Sequence, residues 1–187
     1  MIRKEIRILG IDDAPFSKQK ASDVTVICTV YRGSSFFDGI LSTKIRKDGN
    51  NSTNKLIKAI NSSKFKSQLR CIMTDGIALG GFNVIDIKKL YKATKIPVMV
   101  VIRRMPDLKK IKTTLTKLNM PQKYKLIESA GKIHHINSLY VQLIGLTPQT
   151  AKRILEITCT RSIIPEPIRI AHLIASGVTE GESRGRA

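Results

Sequence analysis

Tryptophan is absent from this sequence, and aromatic residues fill only 5% of its 187 positions. That poverty argues against an extended platform on which successive nucleic-acid bases stack. Cysteine is scarce as well. Cys28, Cys71 and Cys159 are odd in number and widely spaced, which excludes a disulfide framework and a paired-cysteine zinc site. Cys28 and Cys71 lie inside apolar runs and read as small buried hydrophobes. No apolar run is long enough to span a bilayer, and the opening MIRKEIRILG lacks the apolar stretch of a signal peptide. These absences predict a soluble, cytoplasmic protein with no membrane partner.

Negative charge is the other shortage. There are 14 Asp and Glu against 33 Lys and Arg, a net charge of +19. Such an excess repels itself unless something anionic neutralises it, and nucleic acid gains most by doing so, because each neutralised phosphate releases a counterion. A basic proteome or a crowded ribosomal setting is the plainer source of the same charge. Apolar residues, 42% of the chain, suffice for a globular core. The length fits one large domain over residues 1–187, ending in a mobile tail from about residue 178.

The pattern divides in two. EIRILGID, DVTVICTVYRG and FDGILSTKIRKDG follow one another as β-branched, apolar strands without a helical period, which predicts an antiparallel meander. STNKLIKAINSSKF then changes period and forms a helix capped by Ser52 or Thr53. From there strand and helix alternate. LRCIMTD is a strand, NVIDIKKLYKATK a helix capped by Asn83, and PVMVVIRR a strand buried on both faces. PDLKKIKTTLTKL is a helix opening at Pro106, and YKLIES and SLYVQLIG are short strands. TPQTAKRILEIT is a helix capped by Thr147, and PEPIRIAHLIASG a last helix closed by Gly177. The expected architecture is α/β: a mixed sheet, antiparallel meander first and parallel strands after it, with helices on both faces.

This topology gives the acids a purpose. A βαβ crossover places the fourth strand parallel to the first. If the two are neighbours, Asp12 and Asp75 share one carboxyl edge, about 4.8 Å apart. Carboxylates that close repel unless a cation lies between them or one is protonated. Hard oxygen donors favour Mg²⁺ or Mn²⁺. Asp48, which closes the third strand at the same edge, is the best third ligand. Asp13 points to the other side of its strand and is free to cap the DDAPF turn. The plainer reading makes these acids turn formers, since Asp-Gly occurs at Asp38, Asp48 and Asp75. DGIALGG lacks both the P-loop ending and the dinucleotide spacing. Gly76, Gly80 and Gly81 instead let backbone approach a packed helix or a substrate strand.

GIDD, MTDGIALGGFNVIDI and IPEPIRIAHLIA together resemble the archaeal family called domain of unknown function ninety-nine. That family is similar to endonuclease V, which has the ribonuclease H-like fold. The resemblance covers nearly the whole chain. It implies metal-binding acids at Asp12 and Asp75, a histidine near the metal or leaving group at His172, and a basic residue beside the site at Arg103. The endonuclease V glutamate matches Ile45 here, with Asp48 three residues on. Its wedge matches SFFD, where Phe36 is left to stack on a base. By themselves, His172 reads equally as a packed or surface histidine, and Arg103 and Arg104 as phosphate contacts or a solvated strand end. The run Lys109, Lys110 and Lys112 reads as the wet face of a helix, and His134 and His135 as turn residues.

The expectation is a metal-dependent endonuclease hydrolysing phosphodiester bonds in DNA or RNA. Asp12, Asp75 and Asp48 would hold Mg²⁺ or Mn²⁺, and His172 would move a proton. The alternatives are a nucleic-acid-binding protein that kept the fold without catalysis, favoured by Ile45, and a ribonucleoprotein assembly factor.

Overall fold

The computed structural model describes residues 2–17, 19 and 22–183. Alternation of side chains builds its centre. In β1 (Arg7–Asp13), Leu9 and Ile11 enter one core and Ile8 the other, because successive strand residues face opposite sides. β2 (Asp23–Arg32) and β3 (Phe36–Arg46) pair antiparallel with β1 and with each other, forming the expected meander. α1 (Ser52–Asn61) then carries the chain across to β4 (Cys71–Asp75), which lies parallel to β1. A small hairpin of β5 (Ala78–Leu79) and β6 (Asn83–Val84) follows, then α2 (Ile87–Thr94) and β7 (Val98–Ile102), parallel to β4. After α3 (Leu108–Lys117) and α4 (Pro121–Ser129) come β8 (His134–Ile136) and β9 (Leu139–Ile144). α5 (Pro148–Thr158) and α6 (Glu166–Glu180) complete the chain. The sheet order is β3-β2-β1-β4-β7-β9-β8. Its far end is antiparallel again, β9 to β7 and β8 to β9.

Two cores flank the sheet. Leu9, Ile11, Val26, Ile45 and Val100 pack with Leu56 and Ile60 of α1 and Leu90 of α2. Ile8, Met73 and Met99 pack on the other face with Ile154 and Leu155 of α5 and Ile168 of α6. β7 is buried from Val98 to Val101, as its unbroken apolar sequence predicts. Cys28 and Cys71 are free, buried thiols, and burial pushes both up to about 12.

α6 lies directly on β1 because Gly10 has no side chain. A Cβ there would collide with the backbone and ring of Pro167. Thr29 Oγ1 ties the helix down by donating to the Pro167 carbonyl at 2.5 Å. Five residues of helix beyond Pro167 advance about 7.5 Å, and two residues of strand beyond Gly10 about 6.6 Å. The two elements therefore deliver His172 and Asp12 to the same level.

Several local expectations change. Residues 124–129, YKLIES, are helical: Pro121 opens α4, and Tyr124 and Ile127 sit one turn apart against Leu115 and Val84. His134 and His135 belong to β8, where His135 stacks on Tyr140 with ring centroids 4.7 Å apart. Asn83 is a buried strand residue, and the cap of α2 is Asp86, which accepts from Lys89 N–H at 2.9 Å. α3 is capped by Asp107, one residue after Pro106. Ser52 and Thr53 lie inside α1, facing β6 and Asp86 rather than capping. α6 runs through Gly177 and stops at Gly181, whose φ of 84° suits glycine. The expected tail is thus helical through Glu180, and its last part, 184–187, lies outside the described residues.

Candidate active site

Parallel register sets the site. Ile11 pairs with Thr74, so the next residues, Asp12 and Asp75, leave adjacent strands side by side. Asp12 is nearly buried, and its Oδ2 lies 2.8 Å from His172 Nδ1. Its Oδ1 accepts the Asp13 N–H at 2.9 Å. Arg103, just past β7, donates from Nη2 to Asp75 Oδ2 at 2.9 Å. With Asp13 and Phe16 these four residues line an open cavity of about 460 Å³.

Burial and mutual repulsion mark the acids. Asp75 is held above the usual carboxylate range, first by burial and then by Asp12, with Arg103 opposing. Asp13 is pushed up to about 6, chiefly by burial and further by the charges of Asp12 and Asp75. His172 is raised in turn, because its hydrogen bond to Asp12 favours the imidazolium.

The donor set suits a hard, hydrated cation. Each Asp12 oxygen already takes one hydrogen bond but keeps lone-pair capacity, and Asp75 keeps an oxygen beyond the one bound to Arg103. Among the described residues no three His, Cys, Asp or Glu are gathered to cage a metal. Magnesium, which takes one or two carboxylates and completes its shell with water and phosphate, fits such a pair.

Asp48 does reach the same edge, but its carboxylate is used elsewhere. Its Oδ1 accepts the Phe82 N–H and its own N–H donates to the Gly80 carbonyl, each at 2.8 Å. It therefore clamps the glycine segment instead of joining Asp12 and Asp75. β2 lies between its strand and β1, so two strand spacings, about 9.6 Å, part their backbones, too far for a shared ion. Asp13 clamps the same segment from the other side, accepting the Gly80 N–H at 2.9 Å instead of capping the DDAPF turn. Gly76 directly follows Asp75 with φ 76°, and Gly81 lies so close to the Asp48 carboxylate that a side chain would not fit. Ile45 points into the core and is wholly buried. Arg104 is exposed beside Arg103. Phe36 is not brought to the site: it begins β3 opposite Arg32, at the other end of the sheet, about 20 Å away along the strands. There it packs under the Arg32 guanidinium, 4.8 Å from its ring centre.

Lys123 escaped the sequence reading. It is 2% exposed, and its ammonium donates to the Asp48 and Gly49 carbonyls at 2.6 and 2.9 Å. No local pattern marks a lysine whose partners lie more than seventy residues away. Lys123→Met, which strips donors from two carbonyls, is expected to cost about 1–3 kcal/mol in urea unfolding. An unchanged midpoint would show that water replaces the ammonium.

A mixed sheet in this order, with paired acids at the ends of its adjacent parallel strands, is a ribonuclease H-like fold. The chain belongs to the Endonuclease dU family, whose model matches residues 4–179. It is 49% identical to a UPF0215 protein of Methanothermobacter thermautotrophicus over 191 aligned residues, covering 100% of this chain and 94% of that one. A crystal structure of a protein of unknown function from Archaeoglobus fulgidus is 42% identical and superimposes with a TM-score of 0.85, over 92% of this chain and 97% of that one. Endonuclease V of Ciona intestinalis, solved with a 24mer DNA containing an inosine followed by a ribo-adenosine, shares the fold with a TM-score of 0.60. It is 14% identical, over 94% of this chain and 86% of that one. No helix among the described residues is long and apolar enough to cross a membrane.

Proposed function

We propose that this protein is a divalent-metal-dependent endonuclease that hydrolyses phosphodiester bonds in DNA at or near deoxyuridine. The lesion comes from the family's name, and the chemistry from the site. The observation that carries it is the placement of Asp12 and Asp75 at adjacent strand ends with His172 against Asp12. Asp12 and Asp75 would hold Mg²⁺ or Mn²⁺. When bound, the metal supplies a Lewis acid at the scissile phosphate.

The chain's own groups do the rest. Asp12 accepts from His172 Nδ1–H, which fixes the ring and leaves Nε2 for the cavity. In the imidazolium form, Nε2–H gives its proton to the oxygen that leaves as water adds to phosphorus and the P–O bond breaks. Arg103 orients Asp75 and presents its guanidinium fork to the backbone, as Arg104 does from the exposed rim. The net charge of +19 draws the polyanion in.

Labelled single strands and duplexes carrying one deoxyuridine, one inosine or neither, with Mg²⁺, Mn²⁺ or EDTA, test this. Metal-dependent cleavage near deoxyuridine is expected. Absence of cleavage on every substrate would remove the enzyme reading. The second reading, a binder without catalysis, is favoured by the burial of Ile45 and the diversion of Asp48, which leave two acids where three were expected. It predicts salt-steep binding that survives loss of both acids.

A further inference from the structure

A second cavity opens beside the same edge, on the opposite face of the sheet. Met105, Leu108, Tyr124, Ile127 and Ile133 wall a space of about 370 Å³, and Gln142 is its buried polar member. The Gln142 amide is fixed: Nε2 donates to the Gly131 carbonyl at 3.0 Å, with a weaker contact to that of Ile127 at 3.4 Å. Only the NH₂ group can donate to carbonyls, so Oε1 is the other atom. Oε1 accepts no hydrogen bond among the described residues. No buried side-chain oxygen or nitrogen among them is sealed away without a partner. The carbonyl oxygen of a residue 3% exposed therefore meets the cavity, as an acceptor awaiting a donor.

The cavity lies near the acids. Asp75 pairs with Val101 and Val101 with Val141, so Gln142 is one residue along and two strands over, about 10 Å between backbones. Met105 follows Arg103 by two residues, so their Cα atoms are at most about 7.6 Å apart. Met105 is 57% exposed and forms the rim. Lys132 and Glu128 are its charged lining residues, one of each sign.

We infer that this cavity receives a nucleobase of the strand held at Asp12 and Asp75, one with a ring N–H that Gln142 Oε1 accepts. The inference rests on the nucleic-acid reading above and names how that site would choose its substrate. Uracil presents N3–H where cytosine presents a lone pair, so a buried carbonyl oxygen attracts the first and repels the second. The same contrast separates hypoxanthine from adenine. Thymine shares the uracil N–H, and Gln142 does not discriminate against it. Apolar walls take the ring faces, and the volume falls within the range of small-ligand sites.

The test uses Asp75→Asn protein, so that cleavage does not consume the probe. Fluorescent single-stranded DNA carrying one uracil, or cytosine at the same place, is titrated by anisotropy. Uracil DNA is expected to bind about tenfold more tightly, the worth of one buried hydrogen bond. Adding Gln142→Leu should erase the preference. Adding Met105→Trp, which fills the mouth and leaves the Gln142 contacts intact, should erase it too, with thermal melts confirming a folded chain. Equal binding of the two DNAs, or a preference that survives Met105→Trp, overturns the inference. If wild type cleaves while Asp75→Asn protein binds both DNAs alike, the nuclease reading stands and the base site falls. If nothing is cleaved but a preference depends on Gln142, the base site stands and catalysis falls.

Discussion

Asp75→Asn is expected to lower cleavage by on the order of 10³-fold while leaving nucleic-acid affinity unchanged or higher. The amide keeps the shape of the side chain but loses the charge that would hold a metal. Metal stabilisation of phosphoryl transfer contributes several kcal/mol, and about 4 kcal/mol is a thousandfold in rate. Affinity does not follow rate, because the substituted site carries one negative charge fewer beside a polyanion. Asp75 sits against Arg103, and the neutral amide leaves that guanidinium available to phosphate. Single-turnover cleavage and anisotropy binding on one substrate separate the two effects. Equal cleavage by both proteins would place the chemistry elsewhere. Loss of binding in step with cleavage would make Asp75 a structural residue.

Asp13→Asn is expected to stabilise the protein in EDTA at pH 7.5 by about 2–3 kcal/mol, and not at pH 3.5. Asp13 is raised from 3.8 to about 6 in the folded protein, by burial first and by Asp12 and Asp75 after it. Between those values the folded state binds more protons than the unfolded one. Stability therefore falls as pH rises through that window, and the cost is complete above it. Asparagine removes the charge, and its Oδ1 still accepts the Gly80 N–H. In a chain of this size the gain is a rise of roughly 4–10 °C in Tm. Calorimetry at both pH values decides the matter. A destabilised variant, or the same gain at both, would mean that Asp13 acts through its hydrogen bond or packing and not through charge.

Much of this site was legible because local rules govern it. β-Branched alternation marks β1 and β2, and a crossover helix forces β4 parallel to β1. Those two rules bring Asp12 and Asp75 to one edge. The glycines after Asp75 announce a tight path, and positive φ at Gly76, Gly80 and Gly81 bears that out. Asp48 shows where such rules stop. Strand direction gives the edge on which it emerges, but the Phe82 N–H, thirty-four residues away, decides where its carboxylate turns. Phe36 shows the same limit. Motif alignment placed it at a site that strand length carries it away from. YKLIES reads as a strand by composition, yet Pro121 and packing against Leu115 make it helix.

The sequence by itself determined the strand and helix menu, the surplus of positive charge and the convergence of two acids, because propensity, Coulomb repulsion and crossover handedness act on neighbours along the chain. Only the tertiary structure decided that Asp12 meets His172, that Asp75 meets Arg103, that Asp13 and Asp48 grip the glycine segment, and that Gln142 keeps an unused acceptor. Those contacts join residues from 28 to 160 positions apart, or leave a group without one. Hydrogen bonding fades within a few ångströms, so such partners are fixed by packing and not by sequence distance.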